Sequence, residues 1–244
     1  MNKEEQEIIE EKTELPSEEE PIIEDKERKV VTPGEIVGND NNLPGEGTRR
    51  DGGNIIAERY GLLDEHDKLV KIIPLSGVFI PRRGNVIIGK VEDITFNGWL
   101  CDIDSAHSSF LPVSEVPRYI DKHHLGEFLD IGDFFSAKIT SVKAKGIDLS
   151  LDSRGLGKLE GGIVISVNPN KVPRVIGRSG SMIKLIKDST NTRITVGQNG
   201  FIWIRGDDIE NELKAKRAID FVTEKSFVSG LTEKVEEFLK GGKK

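Results

Sequence analysis

The chain has 244 residues, of which 36% are hydrophobic and 32% charged, and its net charge is −7 at pH 7. That length allows one large domain or two to three small ones, and no apolar run approaches the ~20 residues that span a bilayer. A single cysteine, Cys101, excludes a disulfide framework and a cysteine-based zinc cluster, and the N-terminus lacks the apolar core of a secretory signal, so we expect a cytoplasmic protein.

The first 28 residues are predicted to form a disordered acidic tail. Residues 1–30 hold twelve Asp or Glu and five Lys or Arg, whereas the rest of the chain holds thirty of each. Because the segment has no aromatic residue and only scattered Ile and Leu, it cannot bury enough surface to offset its ordering entropy. Glu4–Lys12 is predicted to form a transient helix. Two interpretations stay open: a solubilising tail, or an acidic arm that docks on a basic neighbour.

Residues 29–78 are predicted to form a small N-terminal β module. Turn-forming Gly, Pro and Asn occur at Pro44–Thr48 and Asp51–Asn54, and the β-prone pieces Asn54–Ala57 and Lys68–Ile73 lie nearby. A module of this size buries little core alone, so we expect it to dock on a partner surface.

Residues 79–153 are predicted to form a five-stranded Greek-key barrel of the OB type, because short β-prone runs follow one another with a longer loop at 114–130. The predicted strands are Asn85–Val91, Gly98–Ile103, Ser109–Val113, Phe134–Val142 and Ile147–Leu151.

Residues 159–226 change from strand periodicity to mixed α/β periodicity and predict the order β-α-α-β-β-α. The predicted elements are a strand at Gly162–Val167, helices at Asn170–Ile176 and Ser181–Thr190, a hairpin of Thr192–Val196 with Phe201–Arg205, and a helix capped by Asp207 or Asp208 that ends near Lys225. Residues 227–244 are predicted to hold a further helix at 231–239 that docks through an apolar face, followed by a basic end.

The most specific motif is Gly177-Arg178-Ser179-Gly180, which lies between the two predicted helices. Glycines let the backbone approach a sugar-phosphate chain, and the amides and dipole of the following helix favour anions. Arg174, Arg178 and Lys184 add positive charge, and residues 152–205 contain nine Lys or Arg against three Asp or Glu. The alternative is a simple glycine-containing turn between helices. The motif in this β-α-α-β-β-α context resembles a KH domain, whose GxxG loop clamps about four nucleotides.

The barrel region resembles an S1-like RNA-binding domain. The matching stretches are Gly89–Val91, Ile94–Trp99, Phe110–Glu115, Ile131–Asp133 and Ile147–Leu151. Such barrels stack bases on exposed aromatic rings and follow the backbone with basic side chains.

The resemblance implies that Phe96, Trp99 and Phe110 stack bases and that Lys138 and Arg154 contact phosphates. The chain departs from the pattern at Asn97, where an aromatic residue is usual, and at Pro112, where a histidine is usual. A purely structural role of Trp99 and Phe110 in the core therefore stays open.

No group of residues predicts catalysis, a metal site or a cofactor. His123 and His124 are adjacent, so their side chains point in different directions, and we expect them to be solvated. Cys101 is expected to be a small apolar filler. No nucleophile–base pair or carboxylate cluster accompanies them, so we do not expect an enzyme.

The order of β module, S1-like barrel and KH domain resembles the KH-containing RNA-binding cap subunit of the archaeal exosome over roughly residues 28–225. The resemblance implies that copies of the subunit, alone or with the zinc-ribbon cap type, sit as a trimeric cap on a ring of RNase PH-like subunits. They would guide single-stranded RNA into the pore for 3'–5' degradation. It also implies that the turn Gly197–Gly200 packs the KH domain against the barrel.

Two alternatives stay open. A translation or ribosome-associated factor could carry the same modules and bind structured RNA without joining a ring. A nuclease related to polynucleotide phosphorylase is a further option, although that family places its KH domain before the S1-like domain and has a phosphorolytic domain in front of both.

Overall fold

A computed structural model describes residues 29–121, 124–225 and 230–241. The predictions of an acidic disordered tail over 1–28, of a transient helix over Glu4–Lys12 and of a basic end over 242–244 therefore lie outside the described residues. Among the described residues, no helix combines the length and the apolar character needed to cross a bilayer.

The N-terminal module (residues 29–78) contains two small sheets with the strand orders β1-β6-β7-β3 and β2-β5-β4. Its core consists of Val31, Val37, Ile55, Ala57, Val70 and Ile72. The strands are β1 Val30–Val31, β2 Ile36–Asn39, β3 Leu43–Pro44, β4 Thr48–Asp51, β5 Asn54–Ala57, β6 Gly61–His66 and β7 Leu69–Pro74. Of these strands the sequence predicted β5 and β7, and it missed β6 because Asp64, Glu65 and His66 interrupt the apolar pattern.

The barrel (residues 79–153) is closed. Its strands are β8 Val86–Thr95, β9 Gly98–Asp102, β10 Ser109–Pro112, β11 Phe134–Lys143 and β12 Gly146–Ser150. They pair in the order β12-β10-β9-β8-β11, β12 also pairs with β11 to close the sheet, and β10 and β12 are parallel. The core includes Trp99, Phe135 and Leu149, each 0% exposed. The predicted OB-type barrel is therefore confirmed.

The loop between β10 and β11 contains a 3-10 turn at Val113–Glu115 and the short helix α1 at Leu125–Phe128. After the barrel, β13 Gly157–Leu159 pairs with β11 and leads into the next unit.

The KH-like unit (described residues 159–225) has the predicted order β-α-α-β-β-α. Its elements are β14 Ile163–Ser166, α2 Val172–Ile176, α3 Ser181–Thr190, β15 Thr192–Val196, β16 Phe201–Gly206 and α4 Ile209–Glu224. The antiparallel sheet has the order β14-β16-β15, and its apolar residues pack with those of the helices in one core. The predicted cap of α4 is corrected: Asp208 occupies the N-cap position but makes no side-chain cap bond, and Glu212 instead accepts from the Gly206 amide at 3.1 Å.

A further helix, α5 Leu231–Lys240, extends the core of the KH-like unit. Leu231, Val235 and Leu239 are buried in that core, and the Phe238 ring stacks on Phe221 with the ring centres 4.8 Å apart. The apolar face predicted from the sequence therefore packs within the chain.

The turn Gly197–Gly200 joins the KH-like unit to the barrel. The Asn199 side chain is 1% exposed; its amide donates to the carbonyls of Ile88 and Ile103, at 2.8 and 3.0 Å, and its oxygen accepts from the Ile88 amide at 3.2 Å. Because β9 pairs with β8 only from Lys90 onward, the edge of β8 at residues 86–88 is open to this turn. These hydrogen bonds pack the KH-like unit against the barrel, as the resemblance implies.

Candidate nucleic-acid interface

The GxxG segment forms a sharp elbow between α2 and α3. Gly177 has φ 75° and ψ 174°, Ser179 has φ 50° and Gly180 has φ 78°, so three of the four residues have positive φ. The φ and ψ of Gly177 fall in a region that only glycine adopts readily, whereas the left-handed region of Gly180 also admits Asn or Asp. The elbow therefore depends on glycine most strongly at its first position.

The two glycines serve different purposes in the structure. A Cβ at Gly177 would lie 2.7 Å from both the Met182 Cβ and the Met182 amide nitrogen, whereas a Cβ at Gly180 would find no atom closer than Ile183 at 4.0 Å. We predicted that both positions lack side chains so that a nucleic-acid backbone can approach. The structure adds that Gly177 is needed for the close packing of the elbow on α3.

Positive charge surrounds the elbow. The side chains of Arg174, Arg178 and Lys184 are exposed, and no carboxylate of the described residues pairs with them. Sequence reasoning missed Lys171 and Lys187, which are half-buried on the same two-helix segment. A count of charges over residues 170–190, five Lys or Arg against one Asp, would have found them. Such an array attracts phosphates.

The prediction that Trp99 stacks on a base is wrong. Trp99 is 0% exposed, and its indole Nε1 donates to the Leu129 carbonyl at 2.9 Å, so its ring belongs to the barrel core and cannot receive a base. Phe110 is half-buried on the outer side of β10, where it lies between Leu100 and Asp148 in register. Phe96 is 71% exposed at the tip of the β8–β9 hairpin.

The other barrel candidates lie elsewhere on its surface. Lys138 and Arg154 are exposed, and Lys138 is in register with Val86, whose backbone binds Gln198 of the turn that joins the two units. Phe96 follows the opposite end of β8, about 30 Å away at ~3.3 Å per residue. The structure therefore brings Lys138 close to the KH-like unit and leaves Phe96 at the far end.

Asn85 is a residue of the junction that sequence reasoning did not single out. Its side-chain amide donates to the Gln198 side-chain oxygen at 2.9 Å, and the Val86 amide donates to the same oxygen at 2.9 Å. The sequence presents Asn85 only as the first residue of the predicted strand Asn85–Val91, and that local pattern does not signal a contact with Gln198.

The titratable residues considered for catalysis or metal binding form no catalytic site in the described part of the chain. His124 is exposed and lies 2.7 Å from the Glu127 carboxylate, which raises the pKa of the imidazole, and His123 lies outside the described residues. Cys101 is buried, and burial raises its pKa to about 12. Within the described ranges, no three His, Cys, Asp or Glu residues come together as a metal site.

Comparison with known proteins agrees with this geometry. The family model of the KH domain matches residues 162–221. A crystal structure described as that of an exosome complex RNA-binding protein superposes with a TM-score of 0.61 and 29% identity, over 68% of this chain and 97% of that one.

Two archaeal relatives are similar over most of this chain, and both are named exosome complex component Rrp4. The protein from Methanothermus fervidus is 43% identical over 217 residues, which cover 88% of this chain and 96% of the relative. The protein from Methanobrevibacter smithii is 39% identical over 213 residues, which cover 87% and 71%. Both names describe the relatives as components of a complex. The chain belongs to the Rrp4 family of exosome complex components.

Proposed function

We propose that this chain is an RNA-binding subunit of an archaeal exosome in the cytoplasm. In this proposal it caps the ring of RNase PH-like subunits, in a trimer of its own copies or mixed with zinc-ribbon cap subunits. It guides single-stranded RNA into the pore for 3'–5' degradation. The observation that carries the RNA-binding part is the exposed GxxG elbow, because it combines positive backbone φ values with the cations of Arg174, Arg178 and Lys184, which no carboxylate in the described part of the chain pairs with.

The elbow suits a sugar-phosphate chain for physical reasons. The dipole of α3, which begins at Ser181, places partial positive charge at the elbow. Arg178 and Ser179 are exposed between the two glycines, so a phosphate can approach them without displacing protein side chains. Phosphate contacts fix the register of a strand but do not read its sequence, so we expect this site to hold RNA of varied sequence.

The double variant Arg178→Asp with Ser179→Asp tests the elbow. Asp tolerates the φ of 50° at position 179, and both glycines stay in place, so the fold is expected to persist. We expect RNA affinity to fall about 10- to 100-fold, because a charge-assisted bond is lost and two carboxylates face the phosphates. The measurement is fluorescence anisotropy with a labelled 12-nucleotide oligo(A).

A matched control is Lys145→Asp with Ala144→Asp, which makes the same change of charge in the exposed turn between β11 and β12. The control is expected to bind RNA almost as tightly as the unchanged chain. Unchanged affinity of the elbow variant, with its circular dichroism spectrum intact, would move the RNA contact to the barrel.

We further propose that residues 29–78, 79–153 and 159–226 act as separate domains and that the first docks on the ring. Leu43 and Leu69 support this: they are neighbours in the β3–β7 register and are 59% and 41% exposed. Leu43 lies on the edge strand β3 and Leu69 on its neighbour β7, and exposed apolar residues at a sheet edge are a typical protein-binding feature.

The variant Leu43→Glu with Leu69→Glu tests the docking. We expect it to lose co-elution with co-expressed ring subunits in size-exclusion chromatography, as removal of residues 1–75 also should. The control Ile131→Glu with Val142→Glu changes two barrel residues that are 60% and 43% exposed and should still co-elute. A chain that never co-elutes with the ring would favour a translation or ribosome-associated factor.

A further inference from the structure

Three consecutive residues in the loop between β10 and β11 are exposed to solvent. Val116 and Ile120 are each 9% exposed and belong to the barrel core, so they anchor the loop on both sides. The intervening residues, Pro117, Arg118 and Tyr119, are exposed. A segment anchored at both ends loses little conformational entropy when its outward side chains bind a ligand.

Aromatic packing holds Arg118 in place. Its guanidinium carbon lies 4.8 Å from the centre of the Phe128 ring, and that ring lies 5.7 Å from the ring of the buried Trp99. No carboxylate of the described residues forms an ion pair with Arg118. The guanidinium is therefore held by a cation–π contact while its charge and its N–H donors stay available.

Tyr119 is 95% exposed, and it borders an open concavity of about 540 Å³ that residues 113, 114 and 116–121 line. This volume lies within the range of small-ligand sites, so one nucleoside fits it. Asp121 lines the same concavity, and its negative charge disfavours a phosphate there. A bound nucleotide is thus expected to place its phosphate at Arg118 and its base at Tyr119.

We propose that Arg118 and Tyr119 form a second contact for single-stranded RNA, in which Tyr119 stacks one unpaired base and Arg118 binds its phosphate. The inference rests on the proposed function for the identity of the ligand, but not on the GxxG elbow. The Val113 amide donates to the Asn97 carbonyl at 2.9 Å, so the hairpin tip that carries Phe96 adjoins the start of this loop. Stacking on an aromatic ring accepts any base, so the contact suits RNA of varied sequence.

Anisotropy with the same 12-nucleotide RNA, on the full chain, tests the proposal. Tyr119→Ala is expected to weaken binding roughly 5- to 100-fold, the range of one lost base stack, whereas Tyr119→Phe should stay within about twofold. Arg118→Ala should weaken binding similarly, and Arg118→Lys less. A second measurement uses RNAs that each carry 2-aminopurine at one position. Stacking on Tyr119 is expected to quench the 2-aminopurine fluorescence at one of these positions, and Tyr119→Ala is expected to remove that quenching.

The control is Tyr60→Ala, which removes an exposed ring from the N-terminal module and should leave affinity unchanged. If Tyr119→Ala and Arg118→Ala bind within twofold of the unchanged chain while the elbow variant binds more weakly, this inference is wrong and the proposed function stands. If the unchanged chain binds no RNA, both are wrong. Because Tyr119 is nearly fully exposed, its variants are expected to melt at the temperature of the unchanged chain.

Discussion

Asn199 shows how one side chain can take the place of a strand. Its amide and oxygen satisfy the backbone N–H and C=O of Ile88, and its amide also reaches Ile103, at a point where β8 has no neighbour from β9. Gly197 and Gly200 flank it because a Cβ at either position would lie within 2.4 Å of another atom. The turn is thus shaped to insert a carboxamide into the barrel edge.

Replacing Asn199 by alanine should destabilise the chain by about 2–4 kcal/mol, because two carbonyls and one amide of the barrel lose their partner in a buried place. Urea unfolding followed by tryptophan fluorescence measures this. Gln198→Ala is the comparison: Gln198 is exposed, so its loss should change the free energy of unfolding by less than about 1 kcal/mol. Equal midpoints for the two variants would contradict the role of Asn199.

At the scale of elements, α5 completes the core of the KH-like unit although it lies beyond the 162–221 match to the KH family model. Val235 is 0% exposed, and the stacked Phe221 and Phe238 rings continue the contact between α4 and α5. The helix therefore supports α3 and α4 from the side, and through α3 it supports the second half of the elbow.

Val235→Asp should destabilise the KH-like unit by about 3–5 kcal/mol, because it places an unpaired carboxylate in an apolar core. Thermal unfolding by circular dichroism is the measurement. Glu237→Gln, an exposed change on the same helix, should melt like the unchanged chain. A Val235→Asp protein with an unchanged melting temperature would show that α5 contributes nothing to the core.

For the whole molecule, the distribution of charge matters more than the total. Residues 1–30 account for the whole net charge of −7, while residues 152–205 carry nine Lys or Arg against three Asp or Glu. An acidic protein can therefore present a basic binding face, because charges more than about 10 Å apart are largely screened from each other at ordinary salt concentrations.

RNA affinity should consequently fall as salt rises. If Arg174, Arg178 and Lys184 neutralise three phosphates, the slope of log K against log salt is about −2, given ~−0.7 per phosphate on a single strand. Arg178→Ala should make the slope shallower by about 0.7. Anisotropy titrations at several KCl concentrations measure both values, and a slope near zero would argue against a phosphate-binding elbow.

The sequence by itself determined the kinds of units and their order. Alternating β-prone runs such as that at Phe134–Val142, the Asn-Gly turn at Asn199 and the apolar periodicity of α3 and α5 are local signals, and they predicted elements that the structure contains. The GxxG motif and the nearby excess of Lys and Arg identified the elbow for the same reason, since turn geometry and charge are properties of neighbouring residues.

Only the tertiary structure decided which side chains face solvent. Trp99 and Phe96 lie three residues apart in one hairpin, yet the ring of Trp99 fills the barrel and that of Phe96 is 71% exposed. Closure of the sheet buries the ring of Trp99. The anchoring of Val116 and Ile120 in the core leaves Arg118 and Tyr119 exposed between them. These outcomes depend on contacts between distant segments, and a pattern of neighbouring residues does not contain them.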